Sequence, residues 1–140
     1  MGESIFEKNG GRSILVSFAK KFYDKIYDDP WIGLYFKDVD QTRIELQQVD
    51  FLQGALGGEK IYCGALPIPA HKHMFISDEL FDLRQKYLIE ALDEVNAHQD
   101  LKDRIQRIDS AFKSGIVKKT IDDCEKRYFT DTILSYDRPK

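Results

Sequence analysis

Apolar residues recur every three or four positions along most of the chain, and no segment shows convincing strand alternation. Ile14, Phe18, Phe22 and Ile26 stand four residues apart and define the buried face of a first long helix. Asp28-Asp29-Pro30 ends it, because a proline disfavours helical geometry in the residue before it. Trp31 to Asp40 is a short aromatic connection carrying Tyr35 and Phe36. A second helix is predicted from about Thr42 to Leu56, with Gly57-Gly58 as its stop. Gly58, Gly64, Pro67 and Pro69 make 57–70 a loop with little regular structure. Ser77 is placed to cap a third long helix, with Asp78 and Glu79 favouring its positive end. That helix runs through Leu80, Phe81, Tyr87, Leu88, Ala91, Leu92 and Val95, and Leu101, Ile105, Ile108, Phe112 and Ile116 mark a last one. The pattern predicts an all-α domain with four main helices packed in antiparallel pairs. Residues 120–140 either extend the last helix or pack as an added segment.

Composition narrows this picture. At 140 residues, 42% hydrophobic and 32% charged, the chain is expected to be one domain with a real core. The net charge is −3 and basic residues are interspersed with acidic ones, which argues against a nucleic-acid surface. No apolar run is long enough for a membrane span and the first residues do not form a signal peptide, so a cytoplasmic protein is expected. Cys63 and Cys124 match no metal or redox spacing and read as free thiols.

Candidate chemistry lies in four places. Ile44, Gln48, Leu52 and Ala55 share one stripe of the second helix, with Phe51 beside it, and Gln48 interrupts an apolar face. A buried amide must find partners or lose about 1–3 kcal/mol, so Gln48 is either bonded within the core or aimed at a ligand. Tyr23, beside the first stripe, has the same two readings. Phe36 by itself reads as core. His71 stands in Pro-Ala-His-Lys-His-Met-Phe-Ile-Ser, residues 69–77, just before a helix, and a neutral imidazole is the commonest ligand of a transition metal. His73 lies two residues on, a spacing at which helical side chains do not face each other.

Taken in order, the motifs over roughly residues 5–118 resemble the truncated hemoglobins. Phe6-Glu7-Lys8-Asn9-Gly10-Gly11 is similar to the family's glycine pair before its second helix. Phe22-Tyr23 followed by Asp29-Pro30 matches its Phe-Tyr pair and helix end, and Tyr35-Phe36-Lys37-Asp38-Val39-Asp40 its aromatic corner. Phe51-Leu52 through Ala55-Leu56-Gly57-Gly58, then Tyr62 and Gly64, is similar to the second glycine motif. Ala70-His71, with Ile76 and Phe81 five and ten residues after the histidine, matches the proximal segment. A tyrosine–glutamine pair is most like group I of this family.

The resemblance implies a shortened globin fold, helices packed two over two, over residues 1–119, with 120–140 as a C-terminal extension. It implies heme b (iron protoporphyrin IX) held by His71 as the iron ligand, with Phe36 on the porphyrin face. Tyr23 and Gln48 would form the distal polar pair and Ile44 an apolar gate. Phe51, Leu52, Tyr62, Lys72, Ile76 and Phe81 complete the implied pocket, with Lys72, Arg43, Lys60 and Tyr62 as candidates for pairing with propionates. Arg84 departs from the pattern, because the family has an apolar residue or tryptophan there. Either Leu83 faces the heme and Arg84 faces outward, or Arg84 reaches a propionate or enters the distal pocket. The implied function is reversible binding of dioxygen, with nitric oxide and carbon monoxide as further ligands. Nitric oxide dioxygenase activity served by a reductase is a further implication, in a monomer or weak dimer. A gas sensor or docking module using the extension, and a heme-free helical domain, are the competing expectations.

Overall fold

Helices α1 (Ile5–Lys8), α2 (Arg12–Asp28), α3 (Gln41–Ala55), α4 (Pro67–His71), α5 (Asp78–Glu94), α6 (Gln99–Ala111) and α7 (Lys113–Ile116) follow one another in the computed structural model, which describes residues 4–64 and 66–139. Two 3-10 turns, Ile32–Phe36 and Ile121–Asp123, complete the regular structure, and no strand forms among the described residues. The long helices α2, α3, α5 and α6 are the four that the periodicity predicts. α2 packs against both α3 and α5, and α5 against α6. Their shared core contains Leu15, Phe18, Phe22, Ile26, Val49, Leu52, Leu88, Leu92, Leu101 and Ile105.

Local chemistry sets the ends. The Asp40 and Ser77 side chains accept from Arg43 N and Leu80 N and so cap α3 and α5. Gly57 takes φ +97° past the end of α3, where Gly57 N donates to Gly54 O and Gly58 N to Gln53 O. This closing pair of bonds needs a left-handed residue, and glycine adopts it without a Cβ penalty.

Two segments differ from the sequence expectation. The loop 57–70 contains α4, with Pro67 at its first turn, where the missing N–H has no partner to lose. The last long helix breaks at Phe112, which separates α6 from α7. Beyond Ile116 the chain leaves the helix and turns back along the bundle. Trp31 Nε1 donates to Tyr136 O at 2.8 Å, and the Tyr35 and Tyr136 rings meet edge-on at 4.9 Å.

Candidate functional site

His71 ends α4 and faces a hollow lined also by Ile32, Tyr35, Phe36, Met74, Ile76, Leu80 and Arg84. Its Nδ1 lies 2.6 Å from Pro67 O, one helical turn back. A carbonyl only accepts, so Nδ1 carries the proton and Nε2 keeps its lone pair. Burial pushes the imidazole pKa down to about 4, partly offset by the Pro67 carbonyl, and nearby Arg84 and Lys118 lower it further. At neutral pH the ring is therefore uncharged, with one nitrogen free to ligate. His73 is buried at 4% exposure, and its Nδ1 has no hydrogen-bond partner. It lines a separate cavity of about 270 Å³ with Lys37, Arg127, Asp131 and Leu134. Among the described residues no three His, Cys, Asp or Glu side chains gather into a metal cluster, so His71 offers a single donor.

The polar pair comes from two helices. Tyr23 of α2 is 5% exposed and its hydroxyl donates to Gln48 Oε1 of α3 at 3.4 Å, the long end of a hydrogen bond. Burial raises the phenol pKa to about 12, so it remains a donor at every physiological pH. Phe36 stands between tyrosines, its ring centroid 6.1 Å from that of Tyr23 and 5.6 Å from that of Tyr27. Gln48 itself is half-buried; the buried amide of α3 is Gln53. Gln53 accepts from Arg12 Nη1 and donates to Glu59 O, so its polar groups are accounted for within the fold.

The remaining predicted positions divide. Ile44 and Ile76 are half-buried beside the core, and Ile76 lines the hollow. Phe51 is half-buried, 5.5 Å from the Tyr62 ring and 6.1 Å from that of Phe112. Leu52 and Phe81 are sealed in the interior. Lys72 follows α4, and its carbonyl accepts from Glu125 N.

Arg84 lies on the inner stripe of α5 with Phe81 and Leu88. Its guanidinium meets Asp109 at 2.5 Å and stands 5.2 Å from the Phe22 ring and 5.9 Å from the Phe81 ring. It lines the hollow together with His71. Asp109 Oδ2 is buried and has no partner. Sequence reasoning did not single out Ile32, Met74, Leu80 or Asp109. The signal for Asp109 is its place four residues after Ile105 on the helix that faces α5.

Kinship agrees with this arrangement. The sequence model of the family described as Bacterial-like globin matches residues 4–117. A group 1 truncated hemoglobin of Tetrahymena thermophila is 32% identical over 98 residues, 70% of this chain and 81% of that protein. The structure of the truncated hemoglobin from Tetrahymena pyriformis in its Fe(III) form matches with a TM-score of 0.75 at 27% identity, over 84% of this chain and 100% of that one. The 2/2 hemoglobin from Synechococcus sp., solved in the cyanomet state with covalently attached heme, gives 0.74 at 27% identity, over 82% of this chain and 98% of that one. With its four long helices in the same two-over-two arrangement, the chain belongs to the truncated hemoglobins, the short branch of the heme-binding globins.

Proposed function

We propose that the chain holds heme b through His71 and binds dioxygen reversibly, with Tyr23 and Gln48 as the polar pair facing the gas. The observation that carries this reading is the 2.6 Å contact of His71 Nδ1 with Pro67 O, which fixes the tautomer and leaves Nε2 as the donor. The surrounding residues fit a flat apolar group. Phe36, Ile44, Phe51, Met74 and Ile76 are only partly buried although they pack against the core. The hollow at His71 holds about 40 Å³, so these half-buried side chains would have to part to admit a porphyrin. When bound, the group supplies a ferrous iron with one position for an imidazole and one for a diatomic gas.

The chain's own residues supply the rest. The Pro67 carbonyl orients the His71 ring and supports the basicity of Nε2, while burial keeps the ring neutral. The Tyr23 hydroxyl and the Gln48 amide offer donors to a ligand that gathers negative charge, and the buried site makes each donor stronger than it would be in water. The Arg84 guanidinium places a positive charge at the hollow beside His71, held back by its pairing with Asp109. Lys72, Arg43 and Lys60 are proposed as partners for the propionates. Nitric oxide dioxygenation, which needs an external reductase, draws on the same polar pair. A gas-sensing role is favoured by one observation: backbone groups of residues 125 and 134 bond to the segment next to His71.

Protein loaded with hemin should show a strong Soret band, and His71→Ala should lose it or greatly weaken it. A wild-type protein that stays colourless with added hemin overturns the proposal.

A further inference from the structure

Residues 72–76 follow α4 without forming a helix or strand, so their carbonyls, and that of His71 at the helix end, must find partners elsewhere. All six do. His71 O accepts from Met74 N and Lys118 Nζ, Lys72 O from Glu125 N, and His73 O from Leu134 N. Met74 O accepts from Lys118 Nζ, Phe75 O from the Tyr35 hydroxyl, and Ile76 O from Lys118 N. Five of these six carbonyls (71, 72, 73, 74 and 76) therefore bond to groups between residues 118 and 134, and Phe75 N donates in return to Leu134 O. All of these groups lie beyond residue 117, where the family's match ends.

Two side chains make the attachment firm. The Lys118 ammonium has three N–H donors and three carbonyls to receive them, those of His71, Met74 and Ile116, at 3.0–3.1 Å. It is half-buried, so the loss of any one acceptor would leave a charged donor unsatisfied. The Tyr35 hydroxyl accepts from Tyr136 N at 3.1 Å and donates to Phe75 O at 2.9 Å, which joins the returning chain, the aromatic connection and the segment after His71.

We propose that residues 118–136 are a strap over the proximal side and that Lys118 is its clasp, a positioning residue that fixes where His71 presents Nε2. The inference rests on the reading of His71 as the iron ligand. Through the strap, the geometry of the ligating ring is set by a part of the chain that touches neither Tyr23 nor Gln48. Displacing the strap therefore alters the strength of the iron–histidine bond and the retention of heme, while the polar pair keeps its place.

The test uses the full chain loaded with hemin. Lys118→Met keeps the aliphatic stem and removes the three donors; Leu134→Pro removes the N–H that serves His73 O. In the ferrous protein, the iron–histidine stretching band in resonance Raman spectra should shift or broaden in both variants. Hemin transfer to an excess of a scavenging apoglobin should speed up roughly ten-fold, the equivalent of about one net hydrogen bond. Lys118→Arg should restore both readouts in part. A band position and a transfer rate equal to wild type in both folded variants would overturn the proposal, since a merely structural tail leaves them unmoved. If Lys118→Met fails to fold by circular dichroism, Glu125→Pro, which removes the donor to Lys72 O, takes its place under the same criteria. If the wild type takes up no hemin, the heme reading fails separately. Amide exchange at Phe75 then judges the strap alone: faster exchange in Lys118→Met supports it, and unchanged protection refutes it.

Discussion

Gln48 and Gln53 sit five positions apart on one helix and have opposite fates. Gln53 spends its amide within the fold, on Arg12 and Glu59, whereas Gln48 is half-buried and accepts from the Tyr23 hydroxyl. Sequence periodicity placed Gln48 on the apolar stripe, and only packing distinguishes the buried amide of Gln53 from the half-buried one of Gln48. Tyr23→Phe and Gln48→Leu should each speed dioxygen dissociation, by about ten-fold to a hundred-fold if one charge-assisted hydrogen bond is lost and the whole cost falls on release. Stopped-flow displacement by carbon monoxide measures this, and unchanged release in both variants removes the pair from the ligand's surroundings. Arg84 makes a second residue-scale prediction. Its cation lies at the hollow and is offset by Asp109, so Asp109→Asn should tighten azide binding to the ferric protein and Arg84→Leu should weaken it about ten-fold. Azide titration of the Soret band gives both constants. Equal affinity across wild type and the two variants would place the guanidinium outside the ligand's reach.

At the scale of elements, the four long helices were legible because each buries a stripe with a clear period, and α2, α3 and α5 also carry a stop or cap, which α6 lacks. Asp28-Asp29-Pro30, Gly57-Gly58 and Ser77 fall at the observed boundaries. α4 was not legible. A pentapeptide with two prolines carries no periodic stripe, and its helix is held by tertiary contact with α7. That contact is tight at one point: a Cβ on Gly115 would come 2.4 Å from Ile68 Cδ1. Gly115→Val should therefore tilt α4, or cost on the order of 1–3 kcal/mol from overpacking. A lower urea midpoint together with weaker hemin retention is the expected result, and an unaltered protein would mean that α4 is not seated by α7. The tail was illegible for a related reason, because main-chain groups make most of its bonds to residues 72–76, and no side-chain pattern announces them.

For the whole molecule, acid is the natural adversary. The His71 pKa falls from its ordinary 6.5 to about 4 in the fold, chiefly by burial. Between those values the unfolded chain binds the proton and the folded one does not, so this contribution is complete above about pH 6.5 and drains away as pH drops toward 4. His73 is lowered too, again chiefly by burial, and acts in the same direction. Asp131 adds to it at lower pH, because Arg127 holds its carboxylate well below the usual range. The urea midpoint of the heme-free protein should fall between pH 7 and 4.5, and the fall should be shallower in His71→Gln. Parallel profiles would mean that burial does not perturb this histidine. The strap also has a consequence for biosynthesis. Chains emerge from the ribosome N-terminus first, and the carbonyls of residues 72–74 and 76 wait for partners 42 to 61 residues further along the chain. The four-helix scaffold is complete before that, so the segment beside His71 gains its full set of hydrogen bonds only after synthesis has passed residue 134.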